Sequence, residues 1–331
     1  MTSTTMPWER PRAALAAALS SGSGSAGPLD PLGGRRRSRR LGAPSIELPA
    51  WLRLPARPAG APVVVCRPSY LSPLGWLGLQ ALVLWPHGLW IVRRVRDGSD
   101  DPLGLVALAV LALLLVQLAP RLRIAPRTGW LAGAAALTMA ANAALFVAPP
   151  LLAALVASLA LAAGLMAWLP ERAARAPLAG LLVLALPLIA SLQYYGGYPL
   201  RVLTAQLSTW ALQLAGIAAE RAGAAMTVRG QLVIVDAPCS GVQMAWMAYF
   251  CACAFAALAG LRDVAFVRRL PLVGALVLVG NVLRNTALVA LESRPQGLDA
   301  TMHEAIGIVM LALVCAAVIA TMNGGRRDVV A

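Results

Sequence analysis

Lysine is absent from this chain of 331 residues, and all 28 basic side chains are arginines. Charge of any sign is scarce: 13% of the residues are charged and 59% are hydrophobic. A soluble domain of this length would need far more polar side chains to cover its surface, so the apolar excess must face lipid. The arginine-only usage reads as the coding bias of a GC-rich bacterium rather than as chemistry. The formal charge of +14 raises nucleic acid as a partner. The arginines, however, gather in the N-terminal tail and at the ends of apolar runs. That is the pattern of cytoplasmic membrane anchoring, and no nucleic-acid partner is expected.

Several chemical signatures are missing as well. The five cysteines (Cys66, Cys239, Cys251, Cys253 and Cys315) are odd in number and lack disulfide-like or zinc-like spacing. Cys251, Cys253 and Cys315 lie inside apolar runs, where cysteine behaves as a small hydrophobe. There is no Gly-x-Ser-Gly serine motif, no His-Glu-x-x-His zinc motif and no pair of intramembrane aspartates, which removes the other common intramembrane proteases. No transporter-type repeat is evident, and no cofactor is suggested.

What remains is a series of membrane-length apolar runs. Spans are expected near 71–92, 102–119, 129–148, 150–169, 177–194, 240–260, 270–291 and 303–322, the third and fourth paired tightly through Pro149-Pro150. The fold class is therefore an all-α polytopic membrane protein of about eight transmembrane helices. Residues 1–65, with Ser21-Gly22-Ser23-Gly24-Ser25 and Arg35-Arg36-Arg37-Ser38-Arg39-Arg40, are too polar to bury a core and read as a disordered cytoplasmic tail. Residues 66–176 hold the N-terminal transmembrane helices, 177–322 the region carrying the chemistry, and 323–331 a short cytoplasmic tail.

Arginine placement sets the expected orientation. Arg121, Arg123 and Arg127, then Arg172 and Arg175, then Arg262, Arg268 and Arg269, and finally Arg326-Arg327 alternate with the spans as cytoplasmic segments. The loop holding Arg93, Arg94 and Arg96 dissents, partly balanced by Asp97, Asp100 and Asp101. Both termini are expected in the cytoplasm of a bacterium with an inner membrane. On the outer side, Pro199 to Ala222 reads as an amphipathic interfacial helix, with Leu203, Leu207, Leu214 and Ile217 against Arg201, Gln206, Gln213, Glu220 and Arg221. Met226 to Val235 reads as a β-hairpin turning at Arg229-Gly230.

Three side chains stand out from the apolar background. Cys239 follows the hairpin in Asp236-Ala237-Pro238-Cys239-Ser240-Gly241 and is expected at or just before the start of the sixth span. A helix N-terminus there would favour the thiolate, and Ser240 and Gly241 would let another chain approach the sulfur. The plain alternative is a small interface residue with Ser240 as an N-cap. Arg284 lies about 7 residues, or roughly 10 Å, inside the outer end of the seventh span, with Asn281 one turn earlier on the same face. Burying that charge costs at least about 2.5 kcal/mol, so it needs a partner or a wet cavity, unless its stem lets it snorkel to the headgroups. His303 opens the eighth span at the level of Cys239, either as a proton carrier for the thiol or as a polar cap. His87, beside Pro86, reads as a packing residue.

Taken together, these residues resemble the exosortase/archaeosortase family of membrane transpeptidases. The resemblance rests on Cys239-Ser240-Gly241 after a short strand, Asn281-x-x-Arg284 in the next span and His303-x-x-x-Gly307 at the head of the last. Leu192-Gln193-Tyr194 and Pro199-Leu200-Arg201 add to it, over roughly residues 177–322. Pro238 stands where the family more often has alanine. The resemblance implies a cysteine-type peptidase or transpeptidase with Cys239 as nucleophile, His303 as general base and acid, Arg284 stabilising the oxyanion or the thiolate, and Asn281, Ser240 and Gly241 in support. Its implied partners, besides the lipid bilayer, are PEP-CTERM-type C-terminal sorting tails of exported proteins: a Pro-containing motif, one transmembrane helix and a basic end. They would be cut at the periplasmic face through a thioester. The implied context is exopolysaccharide export and biofilm formation. A second reading is a non-catalytic binding or transport protein using Arg284 as an anion or lipid-headgroup site. It predicts that Cys239→Ser keeps full function.

Overall fold

The computed structural model describes residues 72–98, 100–171, 173–293 and 299–323. The N-terminal tail, Arg172, much of the loop before the last helix and the C-terminal tail with Arg326-Arg327 lie outside the described residues.

Ten α-helices and one small sheet make up this region. The first expected span is two short helices, α1 (Pro73–Val83) and α2 (Trp85–Arg96), parted at Leu84. Pro86 sits at the start of α2, where it cannot donate an N–H to continue α1. Then come α3 (Leu103–Leu118), α4 (Thr128–Val147) and α5 (Pro150–Trp168). Alanine dominates the buried face of α5, so α4 and α5 approach closely, as small residues allow in a bilayer. From α1, the buried Gln80 amide donates to Ala160 O (2.8 Å) and Thr138 Oγ1 (3.1 Å), tying that short helix to the α4–α5 pair.

The fifth expected span, 177–194, breaks. The chain leaves α6 (Arg175–Leu184), passes Pro187 and re-forms as α7 (Ile189–Leu214), bent by 91°. The amphipathic helix thus starts ten residues before Pro199, a proline that now lies inside it, and stops at Leu214. Its expected last turn, Ala219–Ala222, is instead strand β1, pairing antiparallel with β2 (Ala225–Val228), which pairs with β3 (Gln231–Ile234). The expected hairpin is thereby widened to three strands. Its Arg229-Gly230 turn has φ of 53° and 80°, the left-handed pair that suits a two-residue connection between twisted strands. Leu203, Trp210 and Leu214 of α7 are exposed, while Thr204, Ala205, Ser208 and Leu212 are buried. Leu203, Trp210 and Leu214 therefore face outward, as on a helix lying at a lipid surface, while Leu212 packs inward.

The chain ends in α8 (Val242–Ala259), α9 (Asp263–Glu292) and α10 (Ala300–Asn323). Six helices among the described residues are long and apolar enough to cross a membrane, or seven if α6 and α7 count as one broken span. The main core packs Leu111, Leu178, Trp246, Phe266, Val273 and Val318 from α3, α6, α8, α9 and α10. A smaller core of Leu212, Met226, Val228, Val235, Cys239 and Val289 joins α7, the sheet and α9.

The two ends of the bundle differ chemically. At one, Glu171 lies 3.5 Å from Arg123 and 3.6 Å from Arg127, Asp263 accepts from Ala176 N (2.8 Å), and Arg269 donates to Thr321 O (2.7 Å). The described segments expected to share the cytoplasmic side thus meet. The dissenting arginine loop is at the other end. There Arg94 pairs with the buried Asp100 (3.8 Å), which also accepts from Ala190 N at the start of α7, and Asp101 accepts from Gln243 of α8 (3.1 Å). Its positive charge is offset by carboxylates fixed to the same end as Cys239.

Candidate active site

The chain reaches Cys239 through a tight descent. After β3, residues Ala237–Ser240 form one 3-10 turn, in which Cys239 N–H donates to Asp236 O (3.0 Å). Gly241 follows with φ of 84°, a left-handed conformation that lets α8 begin at Val242. The thiol therefore sits one turn ahead of the spanning helix rather than at its first residue, so the helix dipole acts on it less than the sequence suggested. A Cβ on Gly241 would come within 2.9 Å of Asn281 Cγ. Glycine here meets a positive φ and a close approach at once.

Asn281 is buried on α9, and its amide works on the turn rather than on Arg284. Nδ2 donates to the Cys239 carbonyl (2.9 Å) and to Thr204 Oγ1 on α7 (3.1 Å). One turn on, Asn285 Nδ2 donates to Ser208 Oγ (2.9 Å). Two Asn at i and i+4 on α9 thus meet Thr and Ser at i and i+4 on α7, a polar ladder across two helices. Ser240 is also buried. It donates to Gln193 Oε1 (3.0 Å) and accepts from Val242 N (3.4 Å), so it braces the turn against α7, while Gly241 is the N-cap of α8. Thr204, Ser208, Asn285 and Gln193 were not singled out for this role in the sequence; the matching i, i+4 spacing was the available signal.

Cys239 and His303 line one cavity of about 730 Å³, together with β3, Asp236, Asn285, the end of α9 and Glu304. The thiol is nearly enclosed, at 9% exposure, while His303 on the first turn of α10 is exposed. Arg284 does not line this cavity. It lines a neighbouring one of about 470 Å³ with Asp101, Gln243 and Gly307, and Glu304 belongs to both walls. The guanidinium lies against Gly307, where a Cβ would be 3.3 Å from Nη2, so the small residue one turn after His303 makes room for it.

Burial and two charges act on the sulfur. Burial pushes the Cys239 thiol above its ordinary value, the Arg284 charge pulls it back down, and Asp236 pushes it up. The thiol is thus held mainly protonated at neutral pH, with Arg284 favouring its ionised form. A thiol in that state needs a base in order to react, and His303 is the imidazole that lines the same cavity.

Residues 90–320 match the family model described as transmembrane exosortase (Exosortase_EpsH). No curated protein and no solved structure matches the chain.

Proposed function

The chain belongs to the transmembrane exosortase family and is a multi-pass membrane protein, and from that membership we propose that it is a cysteine transpeptidase acting on the C-terminal sorting tails of exported proteins. The observation carrying this reading is that Cys239 and His303, from separate elements, open onto one cavity, with Arg284 close enough to favour the thiolate.

The chemistry then runs in two halves. His303 takes the proton from Cys239 Sγ, and the sulfur adds to the peptide carbonyl carbon. The carbonyl oxygen becomes an oxyanion, and the Arg284 charge favours this negative species as it favours the thiolate. Collapse expels the amine, which receives the proton from His303, and leaves an acyl thioester on Cys239. Attack by water or by an acceptor amine, deprotonated by His303, returns the thiol. Asn281 holds the nucleophile's own carbonyl, and Ser240 and Gly241 fix the turn that presents the sulfur. We place the site at the periplasmic face of a bacterial inner membrane, with both termini cytoplasmic, because the arginine-rich loops gather at the opposite end.

The test uses a tail from the same genome, ending in a Pro-containing motif, an apolar helix and an arginine cluster, co-reconstituted with the full chain in liposomes. Cys239→Ala, Arg284→Ala and His303→Ala should each abolish cleavage while inserting normally. Hydroxylamine should release the segment N-terminal to the cut, the acyl part held on Cys239, as a hydroxamate from the parental protein. Full cleavage by Cys239→Ala would overturn the reading.

A further inference from the structure

The three-stranded sheet has two edges, and the chain treats them differently. Strand β1 is charged and tied to α7: Glu220 and Arg221 interrupt it, Gln213 of α7 donates to Ala219 O (2.8 Å), and Arg221 donates to Gln206 Oε1 (2.7 Å). Strand β3 is Gln231-Leu232-Val233-Ile234, with no charge and no proline. Proteins ordinarily blunt such edges because unpaired N–H and C=O groups invite another chain. Leu232 and Ile234 are nonetheless 67% and 60% exposed.

The register says which groups are on offer. Val228 and Gln231 flank the two-residue turn, and Met226 opposes Val233. In such a hairpin the residues beside the turn form a hydrogen-bonded pair, and such pairs recur at every second residue. Val235 N–H donating to Ala224 O (3.0 Å) continues that phase. Gln231, Val233 and Val235 therefore bond inward to the ladder, and the backbone of Leu232 and Ile234 points to an edge that no other strand pairs among the described residues. The same three β3 residues, Leu232 to Ile234, form one wall of the cavity holding Cys239 and His303, and the ends of α9 and α10 form the other.

We infer that β3 is the docking edge for the substrate: the extended segment of the sorting tail adds to it as a fourth strand and is led by it to Cys239. This rests on the transpeptidase reading, and it deepens it by naming how the tail is held. Main-chain bonds to Leu232 and Ile234 supply affinity without demanding a particular sequence, and alternate side chains of the tail meet the cavity and the open face. Direction follows from connectivity. Strand β3 runs toward the turn that leads into the spanning helix α8, and the tail likewise runs from its motif into its own spanning helix. The added strand is therefore parallel to β3.

The experiment uses the full chain and the genome-encoded tail in liposomes, with two independent readouts. In the first, Leu232→Pro removes an outward N–H while leaving the inward ladder intact; tail cleavage should fall about tenfold or more, as expected for a lost main-chain bond with its partner left unpaired. In the second, which does not depend on that variant folding, Ile234→Cys in a Cys239→Ala background is cross-linked to single cysteines placed at successive tail positions. Cross-linking should peak at every second position and move one way along the tail when the cysteine is moved to Leu232. Cross-links without a two-residue period, or with the opposite drift, would overturn strand addition or its direction. If Cys239→Ala abolishes cleavage but the period is absent, the docking edge fails and the transpeptidase reading stands. If Cys239→Ala cleaves fully yet the period is present, the chemistry fails and the docking edge stands.

Discussion

Truncating Asn281 to alanine separates holding the Cys239 turn from holding the fold. The amide makes two buried bonds, to the Cys239 carbonyl at 2.9 Å and to Thr204 Oγ1 at 3.1 Å. Each such bond contributes about 0.5–1.5 kcal/mol net, and interhelical bonds in bilayers average nearer ~0.6 kcal/mol. Losing both therefore lowers stability by about 1–3 kcal/mol. Only the first restrains the turn that presents the sulfur. If its ~1 kcal/mol is expressed in the transition state, kcat/KM falls by about fivefold. Thr204→Val removes the second bond alone. It should lose about 1 kcal/mol of stability and keep cleavage within about twofold of the parental rate. The assay pairs tail cleavage in liposomes with thermal unfolding in detergent, and adds the pH profile of Cys239 alkylation by iodoacetamide, which a purely structural defect would leave in place. Equal losses of cleavage in the two variants, or parental cleavage by Asn281→Ala, would refute a positioning role for this residue.

Gly241→Ala combines a φ of 84° with a 2.9 Å approach to Asn281 Cγ, so it should cost about 1–2 kcal/mol or more in thermal stability and most of the activity. The pH profile of Cys239 alkylation should move in opposite directions in two variants. Arg284→Ala removes the positive charge that lowers the thiol's pKa, shifting the profile to higher pH, and Asp236→Asn removes a negative charge that raises it, shifting the profile to lower pH. Gly307→Val should push the Arg284 guanidinium from its place and lower cleavage while the protein still inserts, because a Cβ there already lies 3.3–3.6 Å from three guanidinium atoms.

The residues read most easily from the sequence were those whose chemistry conflicts with lipid. Arg284 in a spanning helix, one of only two histidines at the head of another, and a cysteine outside the apolar runs each needed a reason. The partners on α7 were hidden because serine and threonine can satisfy themselves within a helix. Thr209 Oγ1 donates to Ala205 O (2.8 Å) and bridges nothing, whereas Thr204 and Ser208 on the same helix join α9. Sequence alone does not distinguish the two uses. The broken fifth span was obscured by hydropathy, which runs unchanged through Leu184 to Leu188; Pro187 was the one local sign of the bend. At Pro199 the error ran the other way, since a proline taken as a helix start sits inside α7. The β2–β3 turn was legible because Arg229-Gly230 can adopt the left-handed pair, but β1 was masked by the helical spacing of its neighbours.

The 91° break between α6 and α7 has a mechanical corollary. A beam of 26 residues, about 39 Å long, turns off at that break and is pinned to α9 by side-chain bonds. The turn bearing the sulfur is tied to that same assembly, because Asn281 of α9 also donates to the Cys239 carbonyl (2.9 Å). On the transpeptidase reading proposed above, the cut would be measured from where the client helix emerges, as by a gauge set to one depth, and lengthening the stretch between a client's motif and its helix should defeat it even when every residue of the motif is kept.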